Sequence, residues 1–328
     1  MQPEISIIIP VYNAETHIRR CCETLFGQTE TEIEYIFVDD CSPDKSLSIV
    51  KESLEKYPER TDSVKVVRHA ENKGIASARN SGLENATGKY IGFVDADDYL
   101  EPDMIEKALR IAKANDLDIV GWDWHMEFNN GRRRIFQPND KTPKEALDSF
   151  MDGRLRWFLW GFMIKRDIFI ANGIRFIPGA NVGEDMATLI QCFAWARSYA
   201  HIAEPLYHYV KYNATSITRR SAEEQMQLIS KNVNLVEKFL TERYGDRYKD
   251  GIAKLKLTVK FPLLITDNRK SYRTWQETYP EANYAIWRNE REHLRNKLLQ
   301  TFAAKGIWWP ISLYYKVVFK FIYGVIFK

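Results

Sequence analysis

Through the first third of the chain, short apolar runs rich in β-branched residues alternate with stretches of helical periodicity, and the runs end in polar or acidic clusters. Ile5-Ser6-Ile7-Ile8-Ile9, closed by Pro10, reads as a buried strand. Asn13 then opens a helix whose apolar positions Ile18, Cys21, Cys22 and Leu25 keep the helical period. A second strand over 33–38 stops at Asp39-Asp40, a helix follows over 45–56, and a third strand lies at 64–67. The pattern predicts a helix over 75–86, with Gly88 just beyond it as a stop. A fourth strand, 90–94, runs into Asp95-Ala96-Asp97-Asp98, Pro102 sits near the next helix start, and 118–122 reads as a further strand. Strand and helix alternating at this spacing give a Rossmann-like, mostly parallel sheet flanked by helices. Such sheets bind ligands outside the carboxyl ends of their strands. Here that edge carries Tyr12-Asn13, Asp39-Asp40 and Asp95 to Asp98.

At 328 residues the chain can bury a full core, as one large domain with an extension or as two domains. A net charge of +3 does not by itself point to nucleic acid. It is unevenly spread: after Glu292 come six basic residues and no acid, whereas residues 1–292 carry 41 basic against 44 acidic residues. Cys21, Cys22, Cys41 and Cys192 form no CxxC pair, which suits a reduced, cytoplasmic protein. The N-terminus lacks a basic signal-peptide region, and no charge-free run has the length of a membrane span. Residues 126–218 are less regular and rich in aromatics, and from Ser221 the chain becomes helical, with Ser221-x-x-Glu224 as a capping box and a stop near Gly245.

Four segments could carry chemistry. Asp95, Asp97 and Asp98 cluster at a strand end, where a divalent cation with oxygen ligands would compensate them; alone, such a triplet is more often a solvated turn. Asn72-x-Gly74 enters a helix and points amides at the strand edge, which suits phosphate, while Arg79 one turn on could pair with a phosphate or with Asp95. The bland reading is a turn and a surface arginine. Asp39 can accept bonds from a ribose or a base, or cap the next helix. Glu184-Asp185 ahead of an apolar helix is either a dipole-favoured helix start or a source of a general base. No GxGxxG follows the first strand, which argues against a dinucleotide site.

In order and spacing, Pro10-Val11-Tyr12-Asn13, Val38-Asp39-Asp40-Cys41-Ser42, Asn72-x-Gly74 through Ala78-Arg79-Asn80-x-Gly82, Asp95-x-Asp97-Asp98 and Glu184-Asp185 resemble the large inverting glycosyltransferase family 2. The resemblance covers about residues 3–218 and implies the α/β GT-A fold. It makes 1–218 the transferase domain, 1–125 its nucleotide-sugar half and 126–218 its acceptor half, with 219–328 a helical extension. It implies a nucleotide site of Pro10, Tyr12, Asp39, Asn72, Arg79 and Asp95, a Mn²⁺ or Mg²⁺ ion on Asp97, and Asp185 as the base, with Glu184 as second choice. Cys41 stands where the family usually has glycine, so a slightly different turn is expected there. His208 is a candidate late metal ligand, though a packed histidine is the commoner case. Trp157, Trp160 and Lys165 are candidates for the acceptor side, against a default of core packing.

The segment 306–328 places Ser312, Lys316, Lys320 and Gly324 on one narrow polar stripe, the rest being aliphatic and aromatic. It suits a helix in a membrane interface, lysines towards anionic lipid, or a helix docked on the protein's own core. Together these readings make the chain a metal-dependent hexosyltransferase, peripheral on the inner face of the membrane. It would use a nucleotide diphosphate sugar, UDP-sugar by family habit, and a saccharide or polyprenyl-linked acceptor in surface polysaccharide synthesis. The rivals are a sugar nucleotidyltransferase, which would carry a glycine- and lysine-rich loop where Val11-Tyr12-Asn13-Ala14-Glu15 stands, and a non-catalytic nucleotide-sugar binder.

Overall fold

The computed structural model describes residues 3–211 and 221–318. They form two compact units, the first comprising 3–150 and 154–211, the second 151–153 and 221–318. The domain boundary expected at 218/219 lies outside the described residues.

Among the described residues the first unit holds a nine-stranded sheet. Its strands are β1 (Ile5–Val11), β2 (Ile33–Asp39), β3 (Val64–Arg68), β4 (Tyr90–Phe93), β5 (Tyr99–Leu100), β6 (Ile119–Phe128), β7 (Gly131–Ile135), β8 (Phe162–Lys165) and β9 (Tyr199–Val210). The order is β3-β2-β1-β4-β8-β6-β9-β5, with β7 on β6. The expected parallel arrangement is that of the first four strands, where β1 pairs with β2 and β4, and β2 with β3, all parallel. Beyond them the sheet is mixed: β8 runs antiparallel to β4 and β6, β5 to β9 and β7 to β6, while β9 is parallel to β6. The two residues between β6 and β7 allow only an antiparallel return, since a parallel pair needs a crossover. Every residue of β2 is buried, and β1 is buried save for half-exposed Pro10, as strands covered on both faces must be.

Helices α1 (Ile18–Phe26), α2 (Ser46–Leu54), α3 (Ile75–Asn85), α4 (Met104–Asn115), α5 (Pro143–Met151), α6 (Arg166–Ala171) and α7 (Glu184–Trp195) belong to this part of the chain. Two expectations fail here for local reasons. Asn13 does not open a helix: it is left-handed at φ 53°, and α1 starts only at Ile18. The amides of Asn13, Ala14 and Glu15 go instead to the side chains of Ser42, Ser46 and Asp44, so the β1–α1 loop is held against the β2–α2 loop. Gly88 is not a helix stop, because α3 ends at Asn85 in extended backbone at Ala86. A Cβ at Gly88 would lie 2.5 Å from the Ser6 amide nitrogen, so the glycine lets the approach to β4 lie against β1.

The second unit is built from α8 (Ala222–Tyr244), α9 (Lys249–Lys260), α10 (Arg269–Glu277), α11 (Leu294–Ala304) and α12 (Trp309–Tyr314). The capping box is present, with Ser221 Oγ taking the Glu224 amide and Glu224 reaching back to the Ser221 amide. Trp275 and Leu264 are at the centre of its core. The ammonium of Lys260 enters that core over the Trp275 ring, giving its protons to Thr278 O, Tyr279 O and Asn283 Oδ1 at 2.9, 3.1 and 2.9 Å. Of the basic aromatic segment, residues up to 318 are described; Lys320 and Gly324 fall outside. Ile311 is fully buried in the unit's core, and Trp308 stacks on Tyr272. Within the described part of the polar stripe, Ser312 and Lys316 both bond Asp267 at 2.5 and 3.2 Å, and Lys316 stays exposed. The large apolar side chains exposed in this segment are Trp309, Leu313 and Val317. No helix among the described residues is long and apolar enough to cross a membrane.

Candidate active site

The carboxyl edge of the parallel strands gathers the acidic segments, and Arg79 from α3 ties them together. Its guanidinium lies between the rings of Phe93 and Phe176, 5.9 and 5.8 Å from their centroids, and is 2% exposed. Nη1 donates to Glu184 Oε1 at 2.9 Å and to Asp185 Oδ1, and Nη2 donates to Asp95 Oδ1 at 3.3 Å. Residues 79, 95, 184 and 185, far apart in the chain, therefore form one charged cluster. Burial works against the charge of Arg79, but Asp185, Asp95 and Glu184 outweigh it and raise its pKa. Of the two partners foreseen for Arg79, Asp95 is bonded to it.

Burial raises the Asp95 carboxyl to about 6, Arg79 opposing and Asp97 and Asp185 adding to the rise. Burial and then the charge of Asp185 raise Glu184 to about 7, against the pull of Arg79. One cation facing so many acids leaves part of the cluster short of positive charge. Asp185 is the more open of the helix-start pair, its side chain 18% exposed against 9% for Glu184. Its Oδ2 accepts the Leu159 amide at 3.3 Å, so both oxygens are oriented at the first turn of α7.

Asp98 turns away from any ligand. It accepts the Val210 amide and the Tyr207 hydroxyl, both at 2.7 Å, and burial with its two acidic neighbours raises its pKa. Tyr207 Oη also receives the Asp95 amide at 3.2 Å, so one hydroxyl fixes both ends of the acidic turn against β9. Asp97 lies half-buried between them in the same turn. Among the described residues no three His, Cys, Asp or Glu side chains converge as a ready-made metal cage. The donor chemistry nonetheless fits a hard divalent ion: oxygen only, in excess negative charge, one or two carboxylates, the remaining ligands left to phosphate and water.

The other sequence candidates divide. Tyr12, 52% exposed, and half-buried Pro10 stand at the end of β1. Asp39 is buried at the end of β2, accepting the Ser42 amide at 2.9 Å and pairing with Arg68 at 3.4 Å. Asn72 is exposed and makes no side-chain hydrogen bond among the described residues. The amides of Lys73 and Gly74 are not open to phosphate: Asp40 takes them at 2.9 and 2.7 Å, and Asn181 Oδ1 takes that of Ala76 at 3.2 Å. The ring nitrogens of His208 are engaged by Glu127 and Glu101 at 2.8 and 2.9 Å. Lys165 pairs with Asp116 and Asp118, and its register opposite Tyr90 puts it at the amino end of β4, away from the site. Trp160 is core, stacked on Phe158 and Tyr207 at 4.8 and 4.4 Å, while Trp157 stays half-buried. Cys41 is left-handed at φ 61°, the conformation glycine takes freely, so the turn keeps that shape despite its side chain.

Sequence reasoning missed Tyr207, Asn181 and the pairing of Asn80 with the Phe176 backbone, which it bonds through both Oδ1 and Nδ2. Half-buried Phe158 and Tyr209, whose neighbours in sequence carry the Asp185 and Asp98 contacts, were missed as well. Asn80 stands within the quoted motif; Tyr207, Asn181 and Tyr209 lie about a hundred residues from their partners and Phe158 nearly thirty, with no local signal.

The model of the glycosyl transferase family 2 matches residues 6–193. The chain is 35% identical over 225 residues to EpsH of Bacillus subtilis (strain 168), covering 66% of this chain and 63% of that protein. It is 34% identical over 260 residues to YibD of Escherichia coli (strain K12), covering 76% and 73%. Both relatives carry the word glycosyltransferase in their names. The chain thus spans just under two thirds of EpsH. Among solved structures, S. aureus TarS 1-349 in complex with UDP-GlcNAc superposes with a TM-score of 0.64 over 95% of this chain and 91% of that one, at 18% identity, a likeness of fold.

Proposed function

Since the chain belongs to glycosyl transferase family 2 and has the GT-A fold, we propose that it is an inverting, metal-dependent enzyme acting on a UDP-sugar. It moves a hexose-type sugar onto a saccharide or polyprenyl-linked acceptor in surface polysaccharide synthesis. The observation that carries this reading is the position of Asp185, at the start of α7, oriented by Arg79 and the Leu159 amide in the same cluster as Asp95. In this mechanism Asp185 takes the proton of the acceptor hydroxyl as that oxygen attacks the anomeric carbon. The bond to the nucleoside diphosphate breaks on the opposite face, which inverts the centre. Arg79 keeps the base oriented and its charge balanced rather than holding phosphate. Tyr12, Pro10 and Asp39 receive the nucleoside at the ends of β1 and β2. Asp97 would hold Mn²⁺ or Mg²⁺, which supplies positive charge to the departing diphosphate. TarS, similar in fold, holds UDP-GlcNAc, which supports a uracil donor. The exposed Trp309, Leu313 and Val317 support a peripheral contact of the C-terminal segment with the membrane.

Calorimetry with UDP, GDP and dTDP, with and without Mn²⁺, tests the donor side. UDP is expected to bind the wild type in a metal-dependent way and Asp97→Ala without that dependence; nucleotide binding indifferent to metal would remove Asp97 from its role. Asp185→Asn is expected to keep UDP binding and lose on the order of 10²–10⁴ in kcat for transfer. Undiminished turnover would move the base elsewhere.

A further inference from the structure

The acidic turn after β4 sets three carboxylates within four residues, and like charges that close push a turn open. Its backbone is tied down along its length. The Val94 amide bonds Ile8 O of β1 at 3.1 Å, and the Asp98 amide closes the turn on Asp95 O at 3.0 Å. Directly after the turn, β5 pairs Leu100 with Tyr207 of β9. The Asp95 amide, between the first two of these ties, has a side chain from β9 as its acceptor: the Tyr207 hydroxyl, 3.2 Å away. That hydroxyl gives its own proton to Asp98 Oδ2 at 2.7 Å, and the other oxygen of Asp98 takes the Val210 amide. One O–H group therefore joins the entry of the turn to its exit, with Asp97 bracketed between them.

A tyrosine can hold a turn in this way only if its ring cannot swing. Tyr207 is fully buried, lies opposite Trp124 of β6 and Leu100 of β5, and stacks on Trp160 at 4.4 Å with 4° between the ring planes. Leu159, the residue before Trp160, gives its amide to Asp185, so the ring leans on the segment that also orients the candidate base. A carboxylate that must be ordered as a hard ion arrives binds it weakly, whereas one set in place beforehand binds it without that cost. Groups that orient a metal ligand from behind accordingly change metal affinity by about 10–100-fold. We propose that Tyr207 is a positioning residue of the metal site, its hydroxyl presetting the turn from Asp95 to Asp98 so that Asp97 meets a divalent ion and the donor diphosphate without rearrangement. The proposal rests on the assignment of Asp97 to the metal made above.

The test is titration of the full chain with Mn²⁺ in the presence of UDP, read as loss of the free-ion signal in electron paramagnetic resonance. Tyr207→Phe keeps the stacked ring and removes only the hydroxyl. It is expected to weaken Mn²⁺ binding by about 10–100-fold, with an unchanged far-UV circular dichroism spectrum. Tyr90→Phe is the control. It also strips a fully buried hydroxyl, one bonded to Leu117 O at 3.0 Å at the amino end of β4, and is expected to bind Mn²⁺ as the wild type does. Wild-type affinity in Tyr207→Phe overturns the proposal, as does an equal loss in Tyr90→Phe, which would trace the effect to lowered stability. A wild type that binds no Mn²⁺ removes the metal reading and this proposal with it. Amide hydrogen exchange of the metal-free wild type adds a check that needs no variant: the Asp95 amide is expected to be protected, and exchange as fast as in an open loop would show that the hydroxyl does not hold it.

Discussion

At the scale of single residues the site is governed by the ratio of one arginine to many carboxylates. Arg79 neutralises part of the charge of Asp95, Glu184 and Asp185, and burial forces the remainder to appear as raised carboxyl pKa values. The sign of the consequence follows from Glu184. Its folded-state value, about 7, lies above the ordinary 4.5, so the folded chain holds a proton that the unfolded chain releases. The stability this gives is complete below about pH 4.5 and lost as pH rises towards about 7. Glu184→Gln removes the group, so its melting temperature should fall less than the wild type's across that window. Parallel profiles for the two proteins would show that Glu184 stays ionised throughout. The acids were legible in the sequence because Asp95 follows a strand end and Glu184 and Asp185 open a helix. What they are bonded to was not: the sequence gives no sign that α7 brings Glu184 and Asp185 against Arg79.

At the scale of elements, the start of α3 shows how a quoted motif acquires a different use. Gly74 is left-handed at φ 84°, and a Cβ there would come within 2.1 Å of Asn181 Nδ2. Asn181 in turn takes the Ala76 amide, capping α3 from more than a hundred residues away. Asn181→Ala should cost about 1 kcal/mol, the usual loss of a cap. Gly74→Ala should cost more, about 1–3 kcal/mol for the backbone strain alone. The double variant should cost less than the sum, because Asn181 is the atom group the new Cβ meets. Urea unfolding of the four proteins measures this, and strict additivity would mean the two residues do not touch. A reading from the sequence alone finds the glycine and the helix, and then assigns the free amides to phosphate. Asp40 and Asn181 take those amides in the fold, and neither pairing has a local signature.

For the whole molecule, the two compact units have separate cores, one around the sheet and one around Trp275 and Leu264. Scanning calorimetry is expected to resolve two transitions. Ile8→Ala, in β1, should lower one of them, and Trp275→Ala the other, each large-to-small change costing several kcal/mol, about 2–5. A single transition lowered equally by both would mean the units melt together. The sequence by itself determined the parallel β1–β4 core, the acidic edge, the order of the family motifs and the helical character beyond Ser221, because each is written in local periodicity, strand-end chemistry or short-range capping. Only the tertiary structure decided the antiparallel half of the sheet, the carboxylate partners of Arg79, the bonding of Asp98 to β9 and of His208 to Glu101 and Glu127, and the meeting of Ser312 and Lys316 at Asp267. Each of these depends on groups distant in sequence, and where the charge is buried, as at Arg79 and Asp98, burial makes the competition for it strong without leaving a trace in nearby residues.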